Sequence, residues 1–191
     1  MSDIFKENLL EHQILLKKME GLDVEVNQAA KKLFECVSGG GTIFLCGNGG
    51  SAADSQHIAA EFVGRFIDDR DPISSIALTT DTSALTCIGN DYSFENIFAR
   101  QLSAVGREND CLIGISTSGN SNNIYNAIKI ANSIGIKTIG LLGKDGGKIS
   151  KICSSNIIVP SSTTARIQEM HILIGHTLVG IVESMLGESR K

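Results

Sequence analysis

The chain has 191 residues, of which 42% are hydrophobic and 20% charged, enough for one sizeable core in about one domain. Its net charge of −4 excludes a general nucleic-acid binder, which carries a basic surface. Twenty glycines, 20 serines and 10 threonines stand against only two prolines, so the position of the small residues decides whether they are filler or built turns.

Residues 2–20 read as a helix, with Ile4, Leu9, Leu10, Ile14, Leu15 and Met19 near helical spacing. Residues 23–38 repeat the pattern through Val26, Ala29, Ala30, Leu33, Phe34 and Val37, and Gly39-Gly40-Gly41 stops it. TIFLC (42–46) has the length of a buried strand; GNGGS and a helix over 51–66 follow. SIALTT (75–80) reads as a second strand, and two short helices cover 82–104. CLIGIST (111–117) is a third strand, followed by SGNS and a helix over 121–134. KTIGLLG (137–143) is a fourth, followed by KDGGK and a short helix. NIIVP (156–160) is the last strand, and a long helix fills 164–187.

Five short apolar strands alternating with helices predict an α/β fold, a doubly wound three-layer αβα sandwich on a five-stranded parallel sheet. No linker breaks the chain, so 1–191 reads as a single domain. Residues 42–191 form its α/β core, and two N-terminal helices over 1–38 form an arm for self-association. No apolar run reaches 18 residues, so no membrane partner is expected. The start, MSDIFKENLLEH, lacks the basic and apolar regions of a secretory signal. Cys36, Cys46, Cys87, Cys111 and Cys153 are odd in number and contain no C-x-x-C. They read as reduced thiols of a cytoplasmic protein, with no disulfide framework and no cysteine-based zinc site.

In such sheets ligands bind at the carboxyl ends of strands. Gly47-Asn48-Gly49-Gly50-Ser51 follows the first strand and Ser116-Thr117-Ser118-Gly119-Asn120-Ser121 the third. Glycines let a backbone approach a ligand, hydroxyls donate, and the helix that follows each loop favours an anion at its N-terminus. This composition suits an uncharged phosphate cradle. A plainer reading makes both loops tight turns capped by Ser51 and Ser121. Residues 47–52 also match G-x-G-x-x-A, but Asp68, Asp69 and Asp71 precede the second strand instead of ending it. No G-K-[ST] exists, so neither a dinucleotide nor a P-loop nucleotide cofactor is expected. In the helix after the first loop, His57 and Glu61 share one face, a turn apart. They suit a surface pair, a metal site, or an acid and a base. The last helix adds Gln168, Glu169, His171 and His176.

CGNGGSAADSQHIAAEFVGRF, GND (89–91), GISTSGNS (114–121), GLLGKDGGK and TARIQEMHILIGH resemble the phosphoheptose isomerase family of the sugar isomerase (SIS) superfamily over nearly the whole chain. The resemblance implies conversion of sedoheptulose 7-phosphate to D-glycero-D-manno-heptose 7-phosphate. That reaction is the first step toward activated heptose for bacterial surface polysaccharide such as lipopolysaccharide. It also implies a homotetramer with sites between subunits. By resemblance, Ser51, Ser116, Thr117, Ser118 and Ser121 hold the phosphate. Asn48, Gly49, Gly50, Asn90, Asp91 and Gln168 line the sugar, and Glu61 and His176 are the catalytic pair. His57, Glu61, Gln168 and His176 match the positions that bind zinc where a metal is seen. Ala165 stands where some members carry an acid before Arg166, so no role of that acid transfers.

A carboxylate serving both C1 and C2 on one face of an enediol makes Glu61 the base, with His176 the acid. Gln168 and His176, eight residues apart, stand about 12 Å along one straight helix and about 80° around it. From this spacing Glu61 and His176 are expected to meet only in an assembled oligomer. The rival readings are an SIS-domain protein that binds the bacterial replication initiator, which lacks the catalytic glutamate, and an SIS isomerase for another sugar phosphate.

Overall fold

A computed structural model describes residues 3–189. The helices are α1 (Ile4–Met19), α2 (Asp23–Ser38), α3 (Gly50–Val63), α4 (Thr82–Asp91), α5 (Ile97–Val105), α6 (Asn122–Ile134) and α7 (Thr164–Ser189). The strands are β1 (Ile43–Gly47), β2 (Ser75–Ala77), β3 (Cys111–Ser116), β4 (Lys137–Gly143) and β5 (Ser155–Val159). The predicted helix start at residue 2 lies outside the described residues. The short helix expected after KDGGK is a single 3₁₀ turn, Ile149–Lys151, and another 3₁₀ turn, Phe94–Asn96, separates α4 from α5.

All strand pairings are parallel, in the order β2-β1-β3-β4-β5. From β1 the chain goes outward to β2 and then returns to β3 on the other side. The sheet therefore reverses direction between β1 and β3, and the two small-residue loops leave from those two strands. Ligands bind at that switch point in doubly wound sheets. Ile43, Leu45, Ile113, Ile115 and Leu141 face one helix layer with Leu33, Phe62, Met170 and Ile174. Phe44, Cys46, Leu112 and Leu142 face the other with Phe98, Leu102, Ile124 and Ile128. Each such buried aliphatic side chain stabilises the sheet by roughly 1.5–3 kcal/mol. Both faces are covered, which explains why the strands are continuous apolar runs.

The two N-terminal helices divide. Ala29, Ala30, Leu33 and Cys36 of α2 are buried against the sheet and α7, so α2 belongs to the layer and not to an arm. Only α1 stands outside, with Ile4, Phe5, Leu9, Leu10, Ile14 and Leu16 exposed. By length and composition α7 could cross a membrane, although none of its apolar runs is continuous over 18 residues. Its Ile167, Met170, Ile174, Leu178, Val179 and Val182 are buried in the core. All five cysteines are free; burial pushes the thiols of Cys36 and Cys153 up to about 12.

Candidate active site

The loop after β3 is held by its own short-range bonds. Gly119 N–H donates to the carbonyl of Ser116 at 3.2 Å and to its hydroxyl at 3.1 Å. The Ser116 and Ser121 hydroxyls lie 3.1 Å apart, and Ser118 Oγ accepts from the Asn120 N–H at 3.1 Å. Gly119 has φ +64, and a Cβ there would strike the backbone of Gly146. A Cβ on Gly147 would in turn lie 2.6 Å from the Gly119 carbonyl carbon. The KDGGK segment is therefore the buttress of this loop, a role that sequence reasoning missed although its paired glycines after a strand were the signal. Ser121 is the N-cap of α6, but its side chain makes no capping hydrogen bond. The Ser116 and Ser121 hydroxyls thus sit together at the N-terminus of α6, an end of a helix that favours an anion. Thr117 and Ser118 are half-buried.

After β1 the cap of α3 is Gly49 (φ +55), not Ser51, which is buried inside the first turn. Asn48 exchanges two side-chain hydrogen bonds with Asn123, at 2.9 and 2.7 Å, and so ties the first loop to α6. Asn123 is 2% exposed and was not singled out from sequence. A Cβ on Gly50 would collide with the amide of Gln168. Gly50 is the position where α7 comes in against the mouth of the first loop.

Helices α3 and α7 run side by side in the same direction. Gly50 lies against Gln168, and a Cβ on Gly175 would lie 2.8 Å from Ile58 Cγ1. That close approach brings His57, Glu61 and His176 together. Nε2 of His57 lies 2.8 Å from Nε2 of His176 and 3.4 Å from Oε1 of Glu61. One ligand atom from each of the three lies within 4.8 Å of the others. His57 is exposed; Glu61 and His176 are half-buried. The ring of Phe66 stacks on His176, with centroids 5.4 Å apart and planes 24° apart.

Glu61 and His176 therefore meet within one chain. This corrects the expectation that they meet only across subunits. Eight residues do separate Gln168 from His176, but these two side chains need not meet: Gln168 stands at the loop end of α3 and His176 two turns further on. Tetrahedral zinc sets its ligand atoms roughly 3.3 Å apart, close to the 2.8 and 3.4 Å separations here, and two imidazoles with a carboxylate suit a catalytic zinc. The described cluster holds three of the four positions that the resemblance implied, and Gln168 lies against Gly50 instead. Asn90 and Asp91 are exposed at the end of α4, where Asn90 Nδ2 donates to Asp91 Oδ1 at 2.8 Å. His171 is fully buried; its Nε2 lies 3.0 Å from the Leu142 carbonyl, and burial pulls the imidazole down to about 4. It faces the sheet, apart from the cluster.

A family profile described as the SIS domain matches residues 11–143, so fold and switch-point loops define an SIS-domain protein. A phosphoheptose isomerase of Aliarcobacter butzleri is 51% identical over 97% of this chain and 98% of its own. One from Clostridium acetobutylicum is 55% identical over 95% of this chain and 89% of its own. The solved phosphoheptose isomerase GmhA from Neisseria gonorrhoeae superposes with a TM-score of 0.91 at 43% identity, covering 95% and 98% of the two chains. The chain belongs to the phosphoheptose isomerase family.

Proposed function

We infer that this chain is an aldose–ketose isomerase that converts sedoheptulose 7-phosphate to D-glycero-D-manno-heptose 7-phosphate, the first step toward activated heptose for surface polysaccharide. The observation that carries the reading is the convergence of Glu61, His57 and His176 on two helices whose loop ends border the phosphate-type cradle. From Gly50 to His57 is about 10 Å along α3, room for the carbon chain between an anchored phosphate and a reacting end.

Ser51, Ser116, Thr117, Ser118 and Ser121 hold the phosphate. Holding the far end of a flexible sugar converts binding into orientation at C1 and C2. The carboxylate of Glu61 takes the proton from C1, the C1–C2 enediol forms, and the same carboxylate returns a proton to C2. His176 protonates O2 as the carbonyl is lost, and the neutral imidazole then takes the O1 proton as the new carbonyl forms. His57, in contact with both, fixes their relative position. Gln168, Asn48, Gly49 and Gly50 line the sugar from the loop end. Asn90 and Asp91 complete the lining where a second copy closes over them. His57, Glu61 and His176 would hold a zinc ion, with Gln168 as the fourth ligand after a side-chain shift. A zinc ion would polarise the carbonyl oxygen. The exposed apolar face of α1 supports a homo-oligomer, a tetramer by family, and the free cysteines support a cytoplasmic setting.

The test is turnover of sedoheptulose 7-phosphate beside hexose and pentose phosphates. The seven-carbon ketose is expected to give the highest kcat/KM; preference for a shorter sugar would replace the substrate assignment. Elemental analysis and thermal stability before and after chelation test the metal, and light scattering tests the tetramer.

A further inference from the structure

At the end of α3 that carries Glu61, a buried ion pair ties this helix to α7. Arg70 Nε donates to Glu183 Oε1 at 2.8 Å, and the two side chains are 7% and 5% exposed. Arg70 Nη2 also donates to the carbonyl of Glu61 at 2.8 Å, and Nη1 to that of Phe62 at 2.9 Å. These carbonyls lie in the last turn of α3, where the helix supplies no partner. The Glu183 carboxylate accepts from the backbone N–H groups of Ile67 at 3.0 Å, Asp68 at 3.4 Å and Phe66 at 3.5 Å. One pair thus shapes the whole 64–70 turn, and that turn places Phe66 on His176.

A buried ion pair is weak evidence for stability, because desolvation offsets its attraction and apolar replacements often serve as well. Apolar residues could not bond the carbonyls of Glu61 and Phe62 and the N–H groups of residues 66–68 at once. What the pair uniquely supplies is geometry. We propose that Arg70, Glu183 and Phe66 are positioning residues of the isomerase: the pair fixes the helix end bearing Glu61, and Phe66 fixes the plane of the His176 ring. The assignment rests on Glu61 and His176 being the proton-transfer pair.

The test uses the full chain with Phe66→Leu, Phe66→Tyr and Glu183→Gln. It measures kcat and KM on sedoheptulose 7-phosphate, the thermal midpoint, and the NMR shifts of the His176 ring protons at one pH after chelation. Misplacement by an ångström costs up to about 10²-fold, so Phe66→Leu is expected to lose kcat by roughly 10²-fold with KM within about twofold. Phe66→Tyr restores kcat to within about threefold of wild type, since it keeps the ring. Glu183→Gln follows Phe66→Leu, and both lose the ring-current shift that Phe66 imposes on His176. A folded Phe66→Leu with wild-type kcat overturns the proposal, as does a folded Glu183→Gln whose His176 resonances are unchanged. If Glu183→Gln does not fold, the two Phe66 variants decide. If wild type fails to isomerise the ketose, the functional reading falls, while the His176 resonances still judge the positioning.

Discussion

The phosphate-type cradle after β3 and the His57–Glu61–His176 cluster are held by different means. The cradle is local: residues 116–121 bond among themselves and rest on Gly146 and Gly147, about 30 residues away. The cluster is long-range: His57 and His176 are 119 residues apart and meet because α3 and α7 pack side by side. In the proposed reaction the cradle, built from backbone and hydroxyls, holds the phosphate, which does not change. In the same proposal the cluster, built from side chains on two helices, places the groups that exchange protons. Damage to the first is therefore expected in binding, and damage to the second in turnover.

The largest effect tests the cluster. Glu61→Gln removes the proposed base and keeps the shape, so kcat is expected to fall by roughly 10²–10⁴-fold with KM little changed, read in steady-state kinetics. The cradle is tested next. Gly119→Ala forces a Cβ at φ +64 against the Gly146 backbone, which raises KM by roughly tenfold, more than it lowers kcat. If both substitutions act on kcat alone, the division between the two regions fails.

A smaller effect separates stability from catalysis on α7 itself. His171 is fully buried, and that burial lowers its folded pKa to about 4, against an ordinary imidazole value of 6.5. Between those values the unfolded chain binds the proton and the folded chain does not, so stability falls as pH drops through this window. His171 alone removes about 2 kcal/mol between pH 7 and pH 5, measured by urea denaturation, and His171→Gln abolishes that share. The smallest effect lies away from both regions. Asp81 caps α4 by accepting from the Ala84 N–H at 2.9 Å. Asp81→Ala costs about 1 kcal/mol of stability and leaves KM at the wild-type value.

The same contrast sets what the sequence made legible. Five apolar runs fixed the sheet, and the two loops at 47–51 and 116–121 announced themselves, because a local turn records its needs in adjacent residues. The reversal between β1 and β3 was not readable from any one run, yet it places those loops together. The spacing of Gln168 and His176 led to the expectation that Glu61 and His176 meet only across subunits, yet they meet in one chain, since helix rise says how far apart two residues stand and nothing about which neighbour they meet. Gly50 read as a loop glycine that lets a ligand approach and Gly175 gave no signal, yet both allow the close approach of α3 and α7. Asn123 and the Arg70–Glu183 pair gave no local signal either, because their partners lie 75 and 113 residues away.

The central claim is that the Glu61 carboxylate carries a proton between C1 and C2. The most direct measurement follows sedoheptulose 7-phosphate in D₂O by NMR, with wild type and Glu61→Gln side by side. The account predicts deuterium at C2 of the aldose and exchange at C1 of the ketose with wild type, and neither with Glu61→Gln. Deuterium incorporation by Glu61→Gln at the wild-type rate would contradict it.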